Sequence, residues 1–233
     1  NRNEISQLNK IIGESYFNLG QYEKAIPYLK EYKGERGKWT NTDYYQLGYA
    51  YYKQGNYTAA VSEFNKIIDG KTAVAQNAYY HLAQSYLNLE QKQQALNAFK
   101  NAGEMEFNAK IQEDAYLNYA KLSYEIGNSY TSPSRVLIGY LEKYPNSAAK
   151  DQMESLLIDS FITSGNFQEA MTLLETNRNF IDKVAYQKVA FYYGLELFNK
   201  ENYRDASIHL DKSLKERRDP AITSRATFWK AES

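Results

Sequence analysis

LGYAYYKQGNYTAAVSEF, residues 47–64, sets Tyr49, Tyr51, Tyr52 and Tyr57 around Gly48 and Gly55 and holds no residue set suited to catalysis. Steps of roughly 35 residues from Gly48 bring Gly13, Ala83, Ala120, Ile158 and Gly194 into line. After each small residue comes Tyr16, Tyr51, Tyr86, Ser123, Phe161 or Leu197. A turn follows at Gly20, Gly55, Glu90, Gly127, Gly165 or Glu201. Beyond the turn stand Ala25, Ala60, Ala95, Pro133, Ala170 and Ala206, and then Leu29, Phe64, Phe99, Leu137, Leu174 and Leu210. Apolar residues recur at three- and four-residue spacing on both sides of the turn, so each unit reads as two amphipathic helices. The small residue and the alanine mark where the helices cross closely, with Tyr, Phe or Leu filling the flanks. A unit of this size cannot bury its apolar face alone, so the units stack.

These residues resemble those of the tetratricopeptide repeat (TPR) family over essentially the whole chain. The resemblance implies an all-α fold, an α-solenoid wound as a right-handed superhelix of about six helix–turn–helix repeats plus an extra C-terminal helix. Expected repeats are 4–38, 41–72, 73–108, 109–145, 146–178 and 181–219, forming a single solenoid across 1–233. Residues 220–233 read as the first helix of a seventh repeat or a cap, opened by Asp219 and Pro220. Three features depart from the family pattern. Tyr44, Tyr79 and Tyr116 stand where the family carries tryptophan. Ile158 replaces the small residue in the fifth repeat, where looser packing or splayed helices are expected. The fourth repeat has a lengthened turn, GNSYTSP, with Ser132 as N-cap and Pro133 as first helical residue.

Composition narrows the function classes. The 233 residues are 43% hydrophobic and 24% charged, a globular balance. Lys+Arg and Asp+Glu both number 28, which argues against a nucleic-acid partner, since polyanion binding needs surplus cations. The basic group Lys212, Lys215, Arg217 and Arg218 reads as a solvated helix end. With no cysteine there is no disulfide frame, thiolate nucleophile or zinc–thiolate site. No apolar run approaches the ~20 residues of a membrane span, so direct membrane insertion is not expected. KYPNSAAKD, 143–151, resembles repeat boundaries of bacterial cell-envelope TPR proteins, which tilts the expected location toward the periplasm or cell envelope over the cytoplasm.

Candidates for chemistry are few. His81 and His209 lie in different repeats and read as surface or seam residues. GERGKWT, 34–40, lacks the glycine spacing of a phosphate loop, has Trp39 where Ser or Thr is needed and follows a helix, so it reads as an inter-repeat loop. Neither a catalytic nor a cofactor or metal role is expected for this chain.

In the family the first helix of each pair lines the concave surface, which the resemblance implies here. Tyr52 has apolar counterparts in every repeat and reads as packing between successive helices. The varying positions are the groove candidates: Lys10 and Glu14, Tyr45 and Tyr49, Tyr80 and Gln84, Leu117 and Lys121. TPR domains that grip a C-terminal carboxylate use lysine, asparagine and arginine at such positions. Lys10 fits that pattern; Glu14, Tyr49, Tyr80 and Gln84 do not. The expected function is a non-catalytic interaction scaffold holding a protein or peptide segment in a Tyr-rich groove. Two other readings stand beside it: a structural, self-assembling part of a longer array, associating through the C-terminal helix, and a substrate-recruiting module of a larger enzyme.

Overall fold

The computed structural model describes residues 2–67, 70–176 and 183–233. Its elements are all helices: α1 (Arg2–Asn18), α2 (Tyr22–Glu31), α3 (Asn41–Lys53), α4 (Tyr57–Phe64), α5 (Ala73–Asn88), α6 (Lys92–Glu104), α7 (Ala109–Ile126), α8 (Pro133–Lys143), α9 (Lys150–Ser164), α10 (Phe167–Thr176), α11 (Lys183–Asn199), α12 (Tyr203–Glu216) and α13 (Pro220–Glu232). This is the all-α solenoid plan of stacked helix pairs. The expected repeat boundary between 178 and 181 lies outside the described residues. The chain forms two compact units, one ending at Gly127 and the other spanning Asn128–Ser233. The division falls inside the lengthened turn of the fourth repeat. There residues 127–132 separate the helices, where 19–21 and 54–56 suffice in the first two repeats.

Local sequence explains where helices start and stop. Thr40 and Asp43 form a reciprocal capping box: Thr40 N donates to Asp43 Oδ2 at 2.7 Å and Asp43 N to Thr40 Oγ1 at 3.3 Å. Asn56, Thr72, Asn108, Ser132, Asn202 and Asp219 accept from amides of the first turns that follow them. The turns within repeats share one closure. Gln21, Asn56, Gln91 and Asn202 each donate a backbone N–H five residues back, to Tyr16, Tyr51, Tyr86 and Leu197, at 2.8–3.0 Å. That bond needs a left-handed residue just before the donor. Gly20 and Gly55 supply it at φ 71° and 73°, and Glu90 and Glu201 are forced into the same region at 59° and 62°.

The crossing points follow the small-residue series. A Cβ on Gly13, Gly48 or Gly194 would stand 2.8–2.9 Å from Leu29, Phe64 or Leu210, so glycine lets the paired helices meet. Ala25, Ala60, Ala95, Ala170 and Ala206 are fully buried, as are Leu29, Phe64, Phe99, Leu137 and Leu210 to within a few per cent. Leu174 is half-buried. In the fifth repeat Ile158 is buried, and α9 and α10 pack against each other less extensively than α11 and α12 do, in line with the looser packing expected there. In the second unit, α13 packs Ile222 and Ala226 against Phe191 and Leu210.

A buried amide fixes two inter-repeat joints that the sequence reading did not single out. Gln76 on α5 donates through Nε2 to Ala102 O at 3.1 Å and Met105 O at 2.6 Å, and accepts Asn108 N–H at 2.7 Å. Gln187 on α11 repeats the device, accepting from Arg218 N and Asp219 N at 2.8 and 2.7 Å. Both side chains are fully buried, which is tolerable because both amide ends are satisfied. Each glutamine stands seven positions before its crossing residue, Ala83 or Gly194, and that recurrence was a readable signal.

Candidate functional site

The first helices of the first unit, α1, α3, α5 and α7, touch in order and present the eight groove candidates. Four aromatic side chains of α3 and α5 form its centre. Tyr45 stacks on Tyr49 with ring centroids 5.8 Å apart, and His81 meets Tyr49 edge-on at 4.8 Å and Tyr52 at 5.1 Å. Tyr49 also contacts Phe17 and Tyr22 of the preceding repeat at 5.7 and 5.6 Å. Lys53 Nζ lies about 6 Å from the Tyr22 and Tyr49 rings, within cation–π range. These rings bridge helices, so their rotamers are held before any partner arrives.

Polar links tie one first helix to the next. Lys10 Nζ reaches Asp43 Oδ1 at 2.9 Å, with Glu14 at 3.9 Å. Tyr52 OH donates to Gln84 Oε1 at 2.8 Å, and Tyr80 OH to Asp114 Oδ2 at 2.5 Å. His81 Nδ1 lies 3.1 Å from the same Gln84 oxygen. A different link, the ion pair of Lys92 with Glu125, joins the second helix α6 to α7. Leu117 and Lys121 are half-buried on the face of α7 that carries Asp114.

The electrostatics follow from this packing. Burial among rings, which the Gln84 hydrogen bond only partly offsets, holds His81 at a pKa of about 4, so the imidazole is neutral near pH 7. Burial, then the neighbouring Tyr49, pushes the Tyr45 phenol far up, and burial with the Asp114 carboxylate does the same to Tyr80. For Asp43, burial works toward a raised pKa, but the Lys10 and Thr40 hydrogen bonds outweigh it and the carboxyl stays below its ordinary range. The face therefore offers neutral aromatic surface at neutral pH, with Lys10 and Asp43 paired at one side.

The structure thus brings Tyr45, Tyr49, Tyr80 and Gln84 into one cluster through His81 and Tyr52, and puts Lys10 and Glu14 together beside Asp43. Tyr52 packs across the seam, as its apolar counterparts imply. Asp43, His81 and Asp114 were missed as members of this face. Lys10 and Asp43, Tyr52 and Gln84, and Tyr80 and Asp114 each lie close to one repeat apart, so pairing complementary groups at the repeat period would have found the links. Among the described residues no three His, Asp or Glu side chains are grouped to hold a metal.

Comparison with known proteins bears on the fold. A family model described as tetratricopeptide repeat matches residues 11–33, and one described as anaphase-promoting complex, cyclosome, subunit 3 matches residues 35–102. The match over residues 11–33, with the small-residue crossings and the stacked helix pairs, supports a tetratricopeptide-repeat family for this chain. A chain in a structure of Naa15/Naa10 bound to HypK-THB superposes with a TM-score of 0.61 at 16% identity, over 96% of this chain. This chain spans only 33% of that one. A TPR repeats protein of Bacteroides fragilis gives a TM-score of 0.49 at 16% identity, covering 98% of this chain and 99% of its own. A tetratricopeptide repeat protein of Parabacteroides merdae gives 0.45 at 16% identity, covering 95% and 82%. No curated protein matches. At such identities the likeness concerns the fold.

Proposed function

We propose that this TPR protein is a non-catalytic interaction scaffold whose first-helix face on α3, α5 and α7 holds a segment of a partner protein. The observation that carries this reading is the half-buried ring cluster of Tyr45, Tyr49 and Tyr80, locked in place by neighbours on adjacent helices. Prelocked rings lose little rotamer freedom on binding and present apolar surface with polar edges. Leu117 and Lys121 extend the surface toward α7, and the paired Lys10 and Glu14 bound it at α1. The contact area each ring has left sets a low ceiling. At most roughly 80 Å² on each of three rings yields about 6 kcal/mol gross at about 25 cal/mol per Å², before association costs of about 4 kcal/mol or more. A single segment should bind near micromolar or more weakly.

The test is a phage-displayed peptide selection against the chain, counter-selected with Leu117→Ala/Lys121→Ala and with Tyr45→Ala/Tyr49→Ala. Circular dichroism confirms that each variant is folded. A consensus lost in folded variants is the expected result. A consensus that survives both, or none at all, removes the groove.

A further inference from the structure

Two seams between first helices of the first unit carry a link at the same register but differ in charge. Lys10 of α1 and Tyr80 of α5 each stand three positions before the crossing residue of their repeat, Gly13 or Ala83. Each reaches an aspartate on the next first helix. Lys10 Nζ lies 2.9 Å from Asp43 Oδ1, and Tyr80 OH donates to Asp114 Oδ2 at 2.5 Å. The lysine neutralises the carboxylate that it holds. The phenol positions its carboxylate and leaves the charge in place.

The second partner of Asp114 is neutral too: Asn118 Nδ2 donates to the same Oδ2 at 3.2 Å. Among the described residues no donor reaches Oδ1 and no cation pairs with this side chain. Lys110, one turn earlier on α7, is exposed and makes no ion pair with it. Lysine ahead of an acid at four residues is also the weaker order for such a pair. Lys121 lies two turns beyond Asp114, roughly 10 Å along the helix axis. Lys53 contacts the Tyr22 and Tyr49 rings instead.

Asp114 is half-buried, so part of its carboxylate is open to a partner. It borders the aromatic face, since the Tyr80 ring meets His81 edge-on at 5.3 Å and His81 meets Tyr49. Ring faces carry negative charge density, and a charge beside apolar surface is screened less than one in open water. A fixed carboxylate in this setting favours a cation. Resting on the scaffold reading above, we propose that Asp114, positioned by Tyr80 and Asn118, is the specificity-determining residue of this face and selects partner segments that carry an arginine or lysine. The cation takes the open Oδ1, and its apolar stem lies along the Tyr80 ring. Asp43 selects nothing, because Lys10 already fills the corresponding place.

The test uses four phage libraries of otherwise random peptides, each fixed at its centre as Arg, Lys, Met or Glu, selected against the whole chain. Enrichment from the Arg and Lys libraries alone is expected. By fluorescence anisotropy, the selected peptides should bind Asp114→Asn about tenfold more weakly than the parent. Glu23→Gln, which removes an equal charge from the exposed surface of α2, should leave binding unchanged. Replacing the basic residue of the peptide by Met should cost the parent the same factor and Asp114→Asn nothing. Asparagine keeps an acceptor for Tyr80, so the variant should retain the parent melting temperature by circular dichroism. The Met exchange, read in the parent at low and high salt, needs no variant and should lose its effect as salt rises. Peptides enriched equally from the Met or Glu library, or basic peptides bound equally by Asp114→Asn, overturn this proposal and leave the groove standing where Tyr45→Ala/Tyr49→Ala removes them. No enrichment from any library overturns both.

Discussion

In the second repeat Gly48 lets α3 come down on Phe64 of α4, while in the fifth repeat Ile158 occupies the same place and α9 and α10 meet less closely. Both repeats follow one two-helix plan, and both bury their crossing residue. The difference lies in what the crossing leaves for the neighbours. Around Gly48 the rings of Tyr45, Tyr49, Tyr52 and His81 knit the second repeat to the third. Around the fifth repeat, α10 and α11 leave a groove of about 790 Å³ beside Gly165, Thr172, Leu173 and Tyr193. One side chain at a crossing thus propagates outward: close helices support a continuous seam, and parted ones leave Leu174 half-buried and a gap beyond it.

Four changes would break or sharpen that contrast. Trp39 and Trp229, one in each unit, let fluorescence follow each unit separately once the other is changed to Phe. Gly48→Leu should have the largest effect, since even a Cβ there stands 2.9 Å from the Phe64 ring. Overpacking should cost about 3 kcal/mol in urea denaturation of the first unit, and a loss below about 1 kcal/mol would show that the crossing is plastic. Next comes acid. His81 is held at about 4, below its unfolded value of 6.5, so the unfolded chain binds more protons between those limits. Stability of the first unit should be complete above pH 6.5 and fall by about 2–3 kcal/mol as pH drops to 4, measured against a His81→Phe control that lacks this component.

Ile158→Ala restores the small residue of the family pattern, yet it should destabilise the second unit by about 2 kcal/mol, because the parted helices leave a cavity in place of the isoleucine. A gain in melting temperature would mean that α9 and α10 can close, and that Ile158 alone holds them apart. The smallest effect belongs to the turns. Glu90→Gly relieves a left-handed residue and should add about 0.5–1 kcal/mol to the first unit, with no change in its binding or association.

The periodic series alone determined the helix pairs, the crossing points and the turns, because each rests on local spacing and on one small residue meeting one large one. Caps such as Ser132 and Asp219 were equally legible, since a cap acts within its own first turn. The candidate face was legible only in part. Tyr45, Tyr49, Tyr80 and Gln84 stand together as their positions suggested, but what engages them does not follow from position. Whether Tyr80 faces a partner or bonds Asp114, and whether Lys10 stays available or pairs with Asp43, depends on side chains one repeat away across a helix–helix seam. The buried Gln76 and Gln187 and the division at Gly127 have the same origin. Each is set by which surfaces stacking brings together, and sequence periodicity carries no record of that.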